Sequence, residues 1–192
     1  MSEIDDIQYV KSVLRRAHEL DQNARKAVRE SGDYTGIEQI DAANTALLKQ
    51  IIAAHGWPNI STFGKEAAHQ AWCLAQHADR GPAFQMEVLT LMHPLVALGE
   101  VEHRDYAYLY DRVAVNNGRA QHYGTQGYDH EGLWTPRPIE GLCDPTRIMN
   151  SAVDLAQLNA RRAKAGIEPP RFEDYYNMMN EICAEPQPVV SR

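Results

Sequence analysis

From its first residues the chain repeats apolar side chains at three- and four-residue steps. Ile4, Ile7, Val10, Leu14, Ala17 and Leu20 fall on one face of a helix. Acidic residues crowd its start and Arg15, Arg16, Arg25, Lys26 and Arg29 its later turns, as the helix dipole favours, and Ser31-Gly32 closes it. A second helix begins near Glu38 or Asp41 with the stripe Ala43, Ala46, Leu47, Gln50, Ile51 and Ala54, and stops at His55-Gly56, a glycine C-terminus. Trp57-Pro58 interrupts the helical pattern, because proline disfavours helical geometry at the residue before it.

The third helix, capped by Ser61 or Thr62, carries Ala67, Ala68, Ala71, Trp72, Leu74, Ala75 and Ala78. It is apolar over most of its circumference, the pattern of a central helix. Arg80-Gly81-Pro82 breaks it. Pro82 suits the first position of a fourth helix, which runs through Phe84, Val88, Leu91, Met92, Leu95 and Leu98 with Pro94 as a kink point. Asp105 to Asn117 reads as a fifth helix with Tyr106, Leu109, Tyr110 and Val113 inward.

Beyond Gly118 the pattern changes. Residues 119–138 hold three glycines, several aromatics and Thr135-Pro136-Arg137-Pro138, read as a hairpin-like or irregular insert. Asp144-Pro145 restarts a helix that ends at Gly166, and a last short helix spans Phe172 to Ile182. The expected fold is mainly α: a compact bundle of six or seven helices with a short insert, one domain over 1–184, and a disordered tail over 185–192.

Composition narrows the function. The 192 residues hold 26 acidic and 19 basic side chains, a net charge of −7. No basic face for nucleic acid is expected; the one short basic cluster, Arg161, Arg162 and Lys164, reads as a solvated helix end. No apolar run approaches the roughly 18–20 residues of a membrane span. The acidic start MSEIDDIQ lacks the form of a secretory signal, and three widely spaced cysteines, Cys73, Cys143 and Cys183, read as reduced thiols. The expected location is the cytoplasm, with no nucleic-acid or membrane partner.

Several short motifs follow one another in order: His55-Gly56-Trp57-Pro58, Gln76-His77-Ala78-Asp79, Asp105-Tyr106-Ala107-Tyr108-Leu109, Asp111-Arg112-Val113, Tyr123-Gly124-Thr125-Gln126, Pro138-Ile139-Glu140, and Arg161-Arg162 before Gly166-Ile167. Over about residues 40–176 this set resembles a widespread bacterial family classed as a domain of unknown function, number six-six-two-four. The resemblance implies a shared helical fold and brings no activity, cofactor or substrate. The chain departs from the family pattern after Glu140, where Gly141 to Leu158 forms a longer connection with room for an added helix over the site.

The chemistry concentrates at the end of the third helix. His77 stands where the helix C-terminus favours an imidazolium and suits an acid–base group; the alternative is a histidine capping the last carbonyls. Asp111-Arg112 supplies a carboxylate and an anion-binding fork, or an internal ion pair tying the helix to the insert. Tyr123, Thr125 and Gln126 put a phenol, a hydroxyl and an amide in a loop, or satisfy their own turn. Trp57 supports the mouth or belongs to the core.

The expected pocket is therefore catalytic at His77, Asp111 and Tyr123, with Trp57, Gln76, Asp79, Arg112, Thr125 and Gln126 binding a small molecule or peptide. No metal or other cofactor is expected. His69, Cys73 and His77 follow at four-residue steps, but positions eight apart stand about 12 Å apart along one helix. At most two neighbours could share an ion. Glu66-x-x-His69 and Glu100-x-x-His103 also match the spacing of di-iron bundles. Three functions follow: an enzyme using histidine acid–base chemistry, a non-catalytic binding domain, and a metal-dependent helical-bundle oxidase.

Overall fold

The computed structural model describes residues 3–141 and 152–184. The Asp144-Pro145 start, Cys143, most of the long connection after Glu140 and the 185–192 tail lie outside the described residues. Among those described are seven α-helices and one two-stranded sheet, so the fold is mainly α, as the periodicity predicts. The chain forms two units, the first ending at Asp105 and the second beginning at Tyr106.

In the first unit a 3-10 turn (Glu3–Asp5) precedes α1 (Ile7–Ser31), α2 (Ile37–His55), α3 (Ile60–Gln76) and α4 (Pro82–Ala97). Asp6 starts α1 by accepting from the Gln8 and Tyr9 amides at 2.7 and 3.2 Å, and Gly32 ends it in the left-handed conformation at φ 70°. The cap of α3 is Asn59 rather than Ser61 or Thr62. Its side-chain oxygen accepts from the Thr62 amide at 2.9 Å, which satisfies a first-turn donor. Gly64, at φ 81° and ψ 158°, breaks α3 after its first turn.

The core of this unit joins Val10 and Leu14 of α1, Leu48 and Ile51 of α2, Phe63, Ala71 and Leu74 of α3, and Phe84, Val88 and Met92 of α4. The α2 stripe differs from expectation: Asn44, Leu48 and Ile51 are buried, whereas Ala43, Ala46, Gln50 and Ala54 are exposed. Burying one leucine side chain removes more apolar surface than burying one alanine methyl and is worth about 1.5–3 kcal/mol. On α1 the apolar face stops early. Leu20 is 65 % exposed and its neighbour Asp21 is fully buried.

The second unit holds α5 (His103–Asn116) from Tyr106 on, β1 (Gly127–His130), β2 (Leu133–Pro136), α6 (Ala152–Lys164) and α7 (Phe172–Ala184). The strands pair antiparallel from Gly127 opposite Pro136 to His130 opposite Leu133. Glu131 and Gly132, both at positive φ, make the two-residue turn that suits the strand twist. The core here is Trp134, Ile139, Leu155, Leu158, Phe172 and Tyr175.

Arg162 overturns the reading of a solvated basic helix end. It is fully buried and donates to the carbonyls of Tyr123, Pro169 and Pro170 at 2.9, 2.9 and 3.1 Å. Its guanidinium lies 4.4 Å from the Tyr175 ring centre. A planar fork spreads charge over several acceptors and stacks on an aromatic face, which is how a lone cation stays inside.

Candidate functional site

The polar groups of the first unit gather where α1 packs beside α3. His18, Asp21, Gln22 and Arg25 recur at three- and four-residue steps on α1. His69 and Cys73, four apart on α3, and His77 just past its end face them. Lys11 and Arg15 share a cleft with Phe63, Gly64 and Gln70, whereas Asp21 and Arg25 meet His77. The two helices therefore run in the same direction. That cleft, about 330 Å³, opens at the end of the seam away from His77.

His77 is the C-cap of α3, its own N–H turned back to the carbonyls of Leu74 and Ala75. Its Nδ1 stands 3.1 and 3.0 Å from the two oxygens of Asp21 and 2.9 Å from Nε of Arg25. Arg25 also reaches Asp21 at 3.1 Å and Asp41 at 2.5 Å, and Gln22 donates to Asp21 at 2.9 Å. Burial pushes the Asp21 carboxyl up, but the His77 hydrogen bond and the adjacent charges outweigh it and hold the group below its usual range. Burial moves Asp41 the other way, upwards.

Two proton arrangements compete at one atom. Arginine can only donate, so Arg25 favours a bare Nδ1 with the ring proton on Nε2. Asp21 favours the proton on Nδ1 and a bare Nε2. Nε2 makes no hydrogen bond among the described residues, and the side chain keeps 17 % exposure. In the first arrangement Nε2 can only donate a hydrogen bond; in the second it is bare and can accept a proton.

A second histidine–carboxylate pair lies nearer the start of α3. His69 Nδ1 is 2.8 Å from Asp105 Oδ2, with the imidazole 46 % exposed and the carboxylate buried. The hydrogen bond that its ring N–H donates to Asp105 raises His69 above its ordinary value. Trp57 is here, buried, in the wall of a dimple shared with His69, Trp72 and Asp105. Burial lowers His18 and raises the Cys73 thiol to about 12, so that thiol keeps its proton.

Gln76 and Asp79 stay close to His77 in sequence but take part in a different contact. Fully buried Gln85 donates to the Gln76 carbonyl at 3.2 Å and to Asp79 at 3.3 Å, fastening the turn into α4. His55 bonds the Ile4 carbonyl at 2.7 Å, a link within the fold.

Asp111, Arg112, Tyr123, Thr125 and Gln126 belong to the second unit, and the structure brings them together there. Asp111 is fully buried and accepts from the amides of His122, Tyr123 and Thr125 at 2.7, 3.0 and 3.0 Å and from the Thr125 hydroxyl at 2.9 Å. Burial pushes its carboxyl up, and these donors recover part of the rise. Arg112 donates to Gln126 Oε1 at 3.2 Å, and Gln126 donates to Thr125 at 2.9 Å. Burial beside Tyr106 takes the Tyr123 phenol to about 12, which leaves it protonated at neutral pH.

Gln121 completes the knot. Its amide donates to the carbonyls of Gln126 and Arg137, both at 2.8 Å, and accepts from the Gln126 amide at 2.8 Å. Nearer the surface, His122 pairs with Glu140 at 2.7 Å.

Sequence reasoning missed Asp21, Arg25 and the His69–Asp105 pair. Asp21 lies 56 positions before His77, and the only trace it leaves is an acidic residue where the apolar stripe of α1 should continue. For His69 the trace is its place one turn before Cys73.

No curated protein and no solved structure matches the chain. One family model does, described as "Family of unknown function (DUF6624)", over residues 10–184. The match takes in nearly all of α1 along with the 40–176 stretch that carries the motifs. The chain belongs to this family.

Proposed function

We propose that the protein is a small enzyme that moves protons on a polar metabolite or peptide, with His77 as the acid–base group. The observation that carries this is the setting of one imidazole. Its Nδ1 is held by the fully buried Asp21, while Nε2 makes no hydrogen bond among the described residues and the ring reaches solvent. A buried carboxylate that fixes the tautomer of a partly exposed imidazole is the arrangement general acid–base catalysis needs. When the bare Nε2 takes a proton the ring becomes an imidazolium beside the Asp21 carboxylate, and it can return that proton in the second half of the cycle.

The knot around Asp111 belongs to the second unit and takes no part in the proton transfer. Its carboxylate is occupied by main-chain donors, which suits a scaffold, so Asp111, Arg112, Tyr123, Thr125 and Gln126 would shape the fold that carries a binding surface. His69 with Asp105 offers a second proton-transfer group, favoured by its greater exposure and by the dimple it shares with Trp57.

Incubation of the purified protein with a metabolite and peptide extract, followed by mass spectrometry, tests the assignment. Compounds consumed by the natural protein should be consumed about 10²–10⁴ times more slowly by a folded His77→Asn variant. If His77→Asn turns them over normally and His69→Asn does not, the chemistry belongs to His69. If the natural protein consumes nothing but retains a compound on gel filtration, it is a binding domain.

A further inference from the structure

Asp21, Cys73 and His77 bring a carboxylate oxygen, a sulfur and a ring nitrogen within 4.8 Å of one another. Cys73 and His77 are one helical turn apart and project from the same side, and Asp21 meets them from α1. The distance argument against a metal on a single helix therefore does not apply, because the third donor comes from a second helix. A mixed sulfur, nitrogen and oxygen set suits zinc and its neighbours in the transition series, whereas magnesium and calcium require oxygen.

The fit is close. A tetrahedral zinc with bonds of about 2.0–2.3 Å holds its ligands about 3.3–3.8 Å apart; His77 Nδ1 and Asp21 already stand 3.0 Å apart, and the widest of the three separations, within 4.8 Å, has to close by no more than about 1 Å. Two further observations point to a cation. Gln22 donates both to Asp21 at 2.9 Å and to Cys73 Sγ at 3.4 Å, the kind of outer bond that orients metal ligands. In addition, Nδ1 of His77 faces two carboxylate oxygens and an arginine donor at once, a set that no single proton can satisfy. Arg25 has another carboxylate to hold, Asp41, and can withdraw to it.

We propose that Asp21, Cys73 and His77 bind a divalent cation of the zinc class, with a fourth coordination position left for water or a ligand. The thiolate and the carboxylate neutralise the dication, and binding releases the Cys73 proton to solvent as the metal–sulfur bond forms. The site goes beyond the proton-transfer reading and does not depend on it, because cation binding is measured without a substrate.

The test uses untagged full-length protein, stripped with a chelator and titrated with Co²⁺ and then Zn²⁺. One Co²⁺ per chain should bind with a thiolate-to-cobalt charge-transfer absorption, and Zn²⁺ should displace it. Cys73→Ser should abolish that absorption and Asp21→Asn should weaken binding at least tenfold. His69→Asn and the Cys143→Ser/Cys183→Ser double variant should leave both unchanged. The last variant keeps the assignment testable if Cys73→Ser does not fold. Absence of Co²⁺ and Zn²⁺ binding overturns the site, as does binding without the thiolate absorption or absorption that disappears in the double variant.

Discussion

Asp21 and Asp111 are both fully buried carboxylates, each the centre of its own unit, and they differ in what surrounds them. Asp111 is held by three backbone amides and a hydroxyl. Asp21 is held by side chains alone: Gln22, Arg25 and His77. Backbone donors cannot change charge or leave without unfolding the loop, so the first arrangement fixes a shape. Side-chain partners can titrate, swing or take a ligand, so the second arrangement keeps chemical choices open. Burial of a charge thus identifies two different things, and the identity of the donors separates them.

Removing Asp111 should be the most damaging single change. Asp111→Ala leaves three amides unpaired inside the protein and should cost about 3–5 kcal/mol, read from denaturant midpoints. A loss similar to that of Asp21→Asn would erase the proposed difference between the centres. Arg162→Met keeps the bulk of the side chain but strands the carbonyls of Tyr123, Pro169 and Pro170, for an expected loss of about 2–4 kcal/mol. A neutral result would mean that water reaches those carbonyls.

Asp21→Asn should be milder, about 1–3 kcal/mol at neutral pH, and should also alter the pH dependence. The native carboxyl is held below its ordinary value. Its contribution is therefore complete above the unfolded value and is lost as pH falls through the lower native one. Stability measured down through the acid range should flatten in the variant; an unchanged acid limb would contradict the depressed Asp21 carboxyl. The smallest effect is expected for His69→Gln. His69 is raised by Asp105, so its contribution is full below the unfolded value and fades as pH rises through the native one. With its side chain almost half exposed, it is worth about 0.5 kcal/mol or less.

The helices were legible because their punctuation is local. Gly32, Gly56, Pro82, Gly118 and Gly166 mark real ends, and the glycine-rich stretch is a real hairpin. The chemistry was legible only in part. His77 stands out by its place at a helix end, but its partner comes from 56 residues earlier, and no period within one helix can announce such a pairing. Arg162 misled for a similar reason: beside Arg161 and Lys164 it looks like solvated charge, and only the carbonyls brought to it by distant turns make its burial possible. Asp111 reads in the sequence as a catalytic carboxylate, and only the loop amides of His122, Tyr123 and Thr125 brought to it show how it is occupied. No helix among the described residues is long and apolar enough to cross a membrane, in line with the lack of an apolar run in the sequence.

Gln121 shows how small the hinge of a fold can be. Its side-chain amide does the work of a peptide group, bonding Gln126 through both its carbonyl and its N–H and reaching Arg137 on the other side. The hairpin thus takes its position from a strand one side chain long. Exchanging one atom of that amide, nitrogen for oxygen as in glutamate, would turn two attractions into two repulsions. The loop bearing Tyr123 to Gln126 is thus held by the Asp111 carboxylate at one end and, at the other, by contacts that depend on the chemical identity of a single NH₂.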